Sequence, residues 1–136
     1  MEGDLILETT FLVDLERELL RGEEGPAQDF LAGNASAKLY ITFTIAGELA
    51  AGMGREHRAH WEEFLRSFVV LPCNPDVSWE YGQTYRYLKA NGLLIGANDL
   101  WIGATALAFD QPLVTRNVAR FRRIPGLSVV EYGVHE

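Results

Sequence analysis

Short apolar runs alternate along the chain with longer stretches of helical periodicity, and turn residues separate them. Asp4-Leu5-Ile6-Leu7-Glu8 reads as a short buried strand that ends on a carboxylate. Thr9 and Thr10 stand where a helix N-cap belongs, and Leu12, Leu15, Leu19 and Leu20 follow at helical spacing up to Gly22. Pro26 opens a second short helix to about Ala32, closed by Gly33 and Asn34. Leu39-Tyr40-Ile41 is a strand, and Thr42 or Thr44 caps a helix through Ile45, Glu48 and Leu49 that stops by Gly54. His57 to Phe68 is helical, with Trp61, Phe64, Leu65 and Phe68 on one face. Val69-Val70-Leu71 is a strand closed by Pro72. A helix from Asp76, its expected cap, to Asn91 carries Trp79, Tyr87 and Leu88, and Asn91-Gly92 ends it. The apolar run from Gly96 to Phe109 is another helix, which Asp110 and Gln111-Pro112 terminate. Leu113-Val114-Thr115 and Ser128-Val129-Val130-Glu131-Tyr132 are strands, with a short helix opened by Asn117 between them.

Strands alternating with helices predict an α/β fold: a three-layer α/β/α sandwich around a mainly parallel sheet. There are no repeats, low-complexity tracts or long linkers, so residues 1–136 are expected to form one domain. Apolar residues make up 48% of the chain, enough for a real core at this length. No apolar run approaches the ~20 residues of a membrane span. The acidic start, Met1-Glu2-Gly3-Asp4, is unlike a signal peptide. Cys73 is the single cysteine, which excludes an intrachain disulfide and a multi-cysteine zinc site. A cytoplasmic protein is expected.

The net charge of −7 argues against bulk electrostatic coating of nucleic acid, but not against a nuclease. A site that holds divalent cations must cluster carboxylates, and the bound ion reverses their field. Positive charge is local: Arg116, Arg120, Arg122 and Arg123 lie close together, with Arg55 and Arg58 a smaller pair. Asp99 is the only charge between Lys89 and Asp110, and it lies at the first turn of an apolar helix. Such an aspartate is either a cap or a metal ligand.

Ligands of a parallel sheet bind beyond the carboxyl ends of its strands. Glu8 ends the first strand, Asn117 follows the strand ending at Thr115, and Asp99 opens the helix leading into that strand. Glu48 is a carboxylate within the apolar stretch Ile45-Ala46-Gly47-Glu48-Leu49-Ala50-Ala51. Three carboxylates and an amide are thus placed where one pocket could gather them. Clustered carboxylates need a cation or a proton to coexist. Oxygen ligands select Mg²⁺ or Mn²⁺, which suit phosphoryl chemistry.

Four blocks, in order, carry a resemblance. They are Leu5-Ile6-Leu7-Glu8-Thr9-Thr10-Phe11-Leu12-Val13-Asp14, Thr42-Phe43-Thr44-Ile45-Ala46-Gly47-Glu48-Leu49, Gly96-Ala97-Asn98-Asp99-Leu100-Trp101-Ile102-Gly103-Ala104 and Leu113-Val114-Thr115-Arg116-Asn117-Val118-Ala119-Arg120-Phe121. Together, followed by Ile124-Pro125-Gly126-Leu127-Ser128-Val129, they resemble the PIN domain over nearly the whole chain. The likeness is strongest to VapC-type ribonuclease toxins of bacterial and archaeal toxin–antitoxin pairs.

The resemblance implies a Mg²⁺- or Mn²⁺-dependent endoribonuclease that hydrolyses RNA phosphodiesters with a metal-activated water. It implies a homodimer, and inhibition by a small antitoxin whose basic segment suits the acidic chain. Glu48 and Asp99 match metal-binding carboxylates, Thr10 a hydroxyl or amide position near the site, Thr115 a hydroxyl that orients site groups, and Asn117 a position that is aspartate or asparagine in relatives. On this reading Glu8, Glu48, Asp99 and Asn117 hold the metal, Thr115 assists, and Thr10, Arg116 and Arg120 are candidates for contact with substrate.

The family's first acid is normally an aspartate, and here it is Glu8. Glutamate moves the carboxylate out by one methylene, and a shift near an angstrom can cost on the order of 10²-fold in rate. The alternative is therefore a weakened or inactive PIN-fold binding module, acting in a DNA-binding regulatory complex with an antitoxin. Blander assignments also stand for single residues. Asp99 is a cap, and Glu48 is a solvated helix-edge residue. Asp14 is a dipole-favoured charge or an Arg17 partner. His57, His60 and His135 are surface groups, and Cys73 is a small apolar residue. Trp61, Trp79, Trp101 and Tyr85 are core or dimer contacts rather than base-stacking platforms. The Arg116–Arg123 run is a solvated face or a phosphate grip.

Overall fold

A computed structural model describes residues 3–132; Met1, Glu2 and His135, read above from sequence, lie outside the described residues. Three consecutive apolar residues form β1 (Leu5–Leu7), all of them buried. A strand apolar on both sides belongs in the middle of a parallel sheet covered on both faces. The strand order is β3 (Val69–Leu71), β2 (Leu39–Thr42), β1, β4 (Leu113–Thr115), β5 (Val129–Glu131), and every pairing is parallel. Central β4 is buried throughout, whereas edge β3 exposes Val69 and Val70.

The chain runs outward from β1 to β2 and β3, then returns past β1 to β4 and β5. Right-handed crossovers in those two opposite directions place helices on both faces of the sheet. The first arm carries α1 (Thr9–Arg21), α2 (Pro26–Gly33), α3 (Phe43–Ala51) and α4 (Arg58–Leu65). The second carries α5 (Pro75–Ala90), α6 (Ala97–Phe109) and the one-turn α7 (Val118–Phe121). The reversal of direction falls between β1 and β4, where Ile6 aligns with Leu113 and Leu7 with Val114. That switch point is where such sheets open a crevice at their carboxyl ends. Among the described residues, no helix is long and apolar enough to cross a membrane.

Several sequence expectations change at the level of single residues. Neither Thr9 nor Thr10 caps α1: both are helical, and the N-cap is Glu8, whose side chain accepts from the Thr10 amide. Thr42 rather than Thr44 caps α3. Asn74 rather than Asp76 caps α5, because Pro75 takes its first helical position and Asn74 Oδ1 accepts from Val77 N at 2.9 Å. The helix expected from His57 begins as a 3-10 turn, Arg55–His57, before α4. Leu19, Leu20, Trp79 and Tyr87 are exposed although they follow helical spacing, and Cys73 is exposed rather than packed. Trp61 is half-buried and donates its indole N–H to the Ala46 carbonyl at 3.0 Å. Trp101 is half-buried and stacks on Tyr81, while Tyr85 is exposed.

One carboxylate ties α1 to the start of α2. The Glu18 carboxylate accepts from Ala27 N at 2.9 Å, Gln28 N at 3.0 Å and the Gln28 side-chain amide at 3.1 Å. It caps α2 from the neighbouring helix, because Gly25, the N-cap residue, has no side chain of its own to do so. A Cβ on Gly25 would stand 2.5 Å from Glu18 Cδ, so the glycine is what lets the carboxylate approach. Glu18→Ala should cost about 1–2 kcal/mol of stability, as lost caps do. It should also speed amide exchange at Ala27 and Gln28, which hydrogen-exchange NMR and denaturant unfolding would measure.

Candidate active site

β1 ends and α1 begins at Glu8, whose extended backbone (φ −80°, ψ 162°) turns the side chain toward the helix N-terminus. Next to it, β4 ends at Thr115. The Thr10 hydroxyl donates to Glu8 Oε1 at 2.6 Å, and so does the Thr115 hydroxyl at 2.6 Å. Each hydroxyl also accepts a backbone amide from the turn after β4: Arg116 N reaches Thr10 Oγ1 at 3.1 Å, and Asn117 N reaches Thr115 Oγ1 at 2.9 Å. With those amides accepted, the single proton of each hydroxyl is directed at the carboxylate.

Glu8 is 3% exposed, and no cationic side chain pairs with it among the described residues. Burial raises its pKa above the ordinary 4.5. The Thr10 and Thr115 hydroxyls oppose that rise, and the nearby Asp99 carboxylate adds to it. Asp99 lies in the first turn of α6, where the dipole favours an acid, but it makes no capping bond there. Its Oδ2 accepts from Arg120 at 2.8 Å. Glu48, in the second turn of α3, is held from two sides: Thr9 donates to Oε1 at 2.5 Å and Asn98 donates to Oε2 at 3.3 Å. Thr9 adjoins Thr10, and Asn98 adjoins Asp99. The starts of α1 and α6 therefore each supply one group to Glu48 and one to the Glu8–Asp99 pair.

A network on the other side of Thr10 was not visible in the sequence. Asp14 accepts from Arg116 at 2.8 Å on both oxygens and from the Tyr132 hydroxyl at 2.6 Å. It stands 3.7 Å from Arg17, the partner expected from spacing, so that expectation captures the weakest of its contacts. Asp14 also lies beyond the first turn of α1, so the dipole does not account for it. Tyr132 packs edge-on against Phe11, with ring centroids 4.7 Å apart. Burial, and then Asp14 itself, raise the Tyr132 pKa. The spacing of Thr10 and Asp14, four residues apart on one helix face, is the signal that could have placed Asp14 beside the site. No local signal marks Tyr132, Thr9 or Asn98.

All the acids offer oxygen donors, and among the described residues no cationic side chain pairs with the buried Glu8 carboxylate, so the donor chemistry fits a hard divalent ion. Among the described residues, no three Asp, Glu, His or Cys side chains stand close enough to form a closed cage. The groups form instead an open arrangement, with Glu48 and Asp99 held by neutral donors and by Arg120. Asn117 is the N-cap residue of α7 but its side chain makes no capping bond, so its amide is not committed there. Arg116 and Arg120, both candidates for phosphate contact, are engaged with Asp14 and Asp99.

The PIN domain family model matches residues 5–127. The chain belongs to the PIN domain family. Its relatives include Ribonuclease VapC1 of Rickettsia felis, 30% identical over 134 residues that cover 93% of this chain and 94% of the relative. Ribonuclease VapC1 of Haemophilus influenzae is 43% identical over 95 residues, 66% of this chain and 71% of that protein. Among solved structures, VapBC2 from Rickettsia felis bound to a promoter DNA fragment superposes with a TM-score of 0.78 at 25% identity, covering 94% of this chain and 98% of that one. VapBC-1 from nontypeable Haemophilus influenzae gives a TM-score of 0.78 at 27% identity, covering 93% of this chain and 96% of that one. The alternating pattern predicts a mainly parallel sheet; the sheet is five-stranded and parallel in every pairing, and it is that of a PIN domain of the VapC type.

The Glu8 environment carries a pH signature. Because burial raises its pKa, the folded PIN domain binds this proton more tightly than the unfolded chain does. The charged form therefore weakens the fold above the raised value, and that loss fades as pH falls through it toward 4.5. Glu8→Gln keeps an oxygen acceptor for both threonines and removes the charge. In chelator at neutral pH the variant should melt a few degrees above the natural chain, and the gap should close under acid. Melting curves across pH check both expectations.

Proposed function

We propose that this PIN domain is a divalent-metal-dependent endoribonuclease and the toxin of a toxin–antitoxin pair. The observation that carries this reading is Glu8: a buried carboxylate with no cationic side chain paired to it among the described residues, at the switch point of the sheet and beside Asp99. The names of its relatives, each a Ribonuclease VapC, support RNA as the substrate class. The VapBC complexes that share its fold support an antitoxin partner. The net charge of −7 favours a basic segment on that partner. A homodimer fits the same family.

Glu8, Glu48 and Asp99 would hold Mg²⁺ or Mn²⁺, with the Asn117 amide beside them. When bound, such an ion supplies positive charge at the phosphate oxygens and acidifies water. The chain's own contribution is positioning. Thr10 and Thr115 fix Glu8 Oε1, and the turn amides of Arg116 and Asn117 fix the threonines. Glu8 accommodates its extra methylene by folding back over its own helix, with Oε1 only 3.3 Å from Thr10 N. Glutamate can therefore stand at the position where the family resemblance leads one to expect aspartate.

RNA cleavage assayed with Mg²⁺ or Mn²⁺ tests the proposal. Asp99→Asn should lose more than about 100-fold, the upper range for groups that merely support a metal ligand. Equal activity in Asp99→Asn would overturn it. Glu8→Asp is the companion measurement: cleavage by both forms supports an enzyme, whereas cleavage by the aspartate form alone makes the natural chain a binding module.

A further inference from the structure

Of the acids at the site, one is already neutralised from within the chain. Arg120 donates to Asp99 Oδ2 at 2.8 Å, and the Asp99 side chain is only 16% exposed. Glu8 and Glu48 receive neutral donors instead, from Thr10 and Thr115 and from Thr9 and Asn98. The arginine is not placed there by a loose tail. It lies on α7 between Val118 and Phe121, both buried, which clamp the short helix against the core. Arg122, two positions on, is exposed and makes no ion pair among the described residues.

We infer that Arg120 is a built-in cation at Asp99, one that competes with a divalent ion for this carboxylate and sets how weakly the site binds metal. This rests on the reading of Glu8 and Asp99 as metal ligands. A divalent ion that takes Asp99 must either displace the guanidinium or share the carboxylate with it. Displacement breaks a charge-assisted pair. Sharing places like charges side by side. Both routes lower metal affinity relative to a site with the arginine removed. Because the guanidinium is 51% exposed, the penalty is modest and weakens with salt.

The test is Mn²⁺ titration by calorimetry of the full chain and of Arg120→Gln, which keeps a polar stem and loses the charge. Arg120→Ala serves as a second variant and Arg122→Gln as the control for general charge. Both Arg120 variants should bind Mn²⁺ roughly three- to tenfold tighter than the natural chain at low salt. Arg122→Gln should change little. The Mn²⁺-induced rise in melting temperature should be larger in the Arg120 variants, a readout independent of RNA cleavage. Equal or weaker binding in the Arg120 variants overturns the inference and leaves the metal reading standing. So does an equal gain in Arg122→Gln. Folded chains that bind no Mn²⁺ with or without Arg120 overturn the metal reading, and this inference with it.

Discussion

Two threonine hydroxyls, each giving its proton to the same carboxylate oxygen, hold this molecule's working end together. Thr10 belongs to the first helix and Thr115 to the fourth strand, and Glu8 Oε1 is where they meet. Because the same hydroxyls accept the amides of Arg116 and Asn117, the turn after β4 is tied to the turn after β1. Remove the carboxylate and both hydroxyls lose their buried acceptor; remove the hydroxyls and a buried charge loses its donors. Either loss leaves polar groups unsatisfied where water is scarce.

The arrangement trades stability for readiness. A carboxylate at 3% exposure, with no cationic partner among the described residues, is an expensive group to keep ionised. The fold tolerates it because the site lies at the N-termini of α1 and α6, whose dipoles favour negative charge. Arg120 relieves Asp99 but reaches neither Glu8 nor Glu48. The residual negative charge is therefore unevenly spread, left on Glu8 and Glu48 rather than on Asp99.

What the sequence makes legible follows from what is local. Leu5-Ile6-Leu7 and Leu113-Val114-Thr115 announce central strands because both faces are apolar, and the rule of strand ends then puts Glu8 and Thr115 at one crevice. The apolar run after Asp99 announces a buried helix, and its first-turn acid follows. Periodicity fails where it cannot tell inside from outside: Leu19 and Leu20 repeat correctly yet face solvent. It fails again where partners are far apart in the chain. Spacing pairs Asp14 with Arg17 three residues on, whereas its shortest contact is with Tyr132, 118 positions away. The identity of the true caps, Glu8 and Asn74, also depended on backbone angles that residue type alone leaves open.

The distance in sequence between Glu8 and its partners also orders events in time. Chains emerge from the ribosome N-terminus first. Glu8, Thr9 and Thr10 leave the exit tunnel long before Thr115, and Tyr132, which seats against Phe11 and steadies Asp14, follows later still. An incomplete nascent chain therefore has its first acid without the second hydroxyl, and the turn of Arg116 and Asn117 is missing altogether. Whatever this pocket does, it does nothing until the fourth strand and the turn after it have emerged.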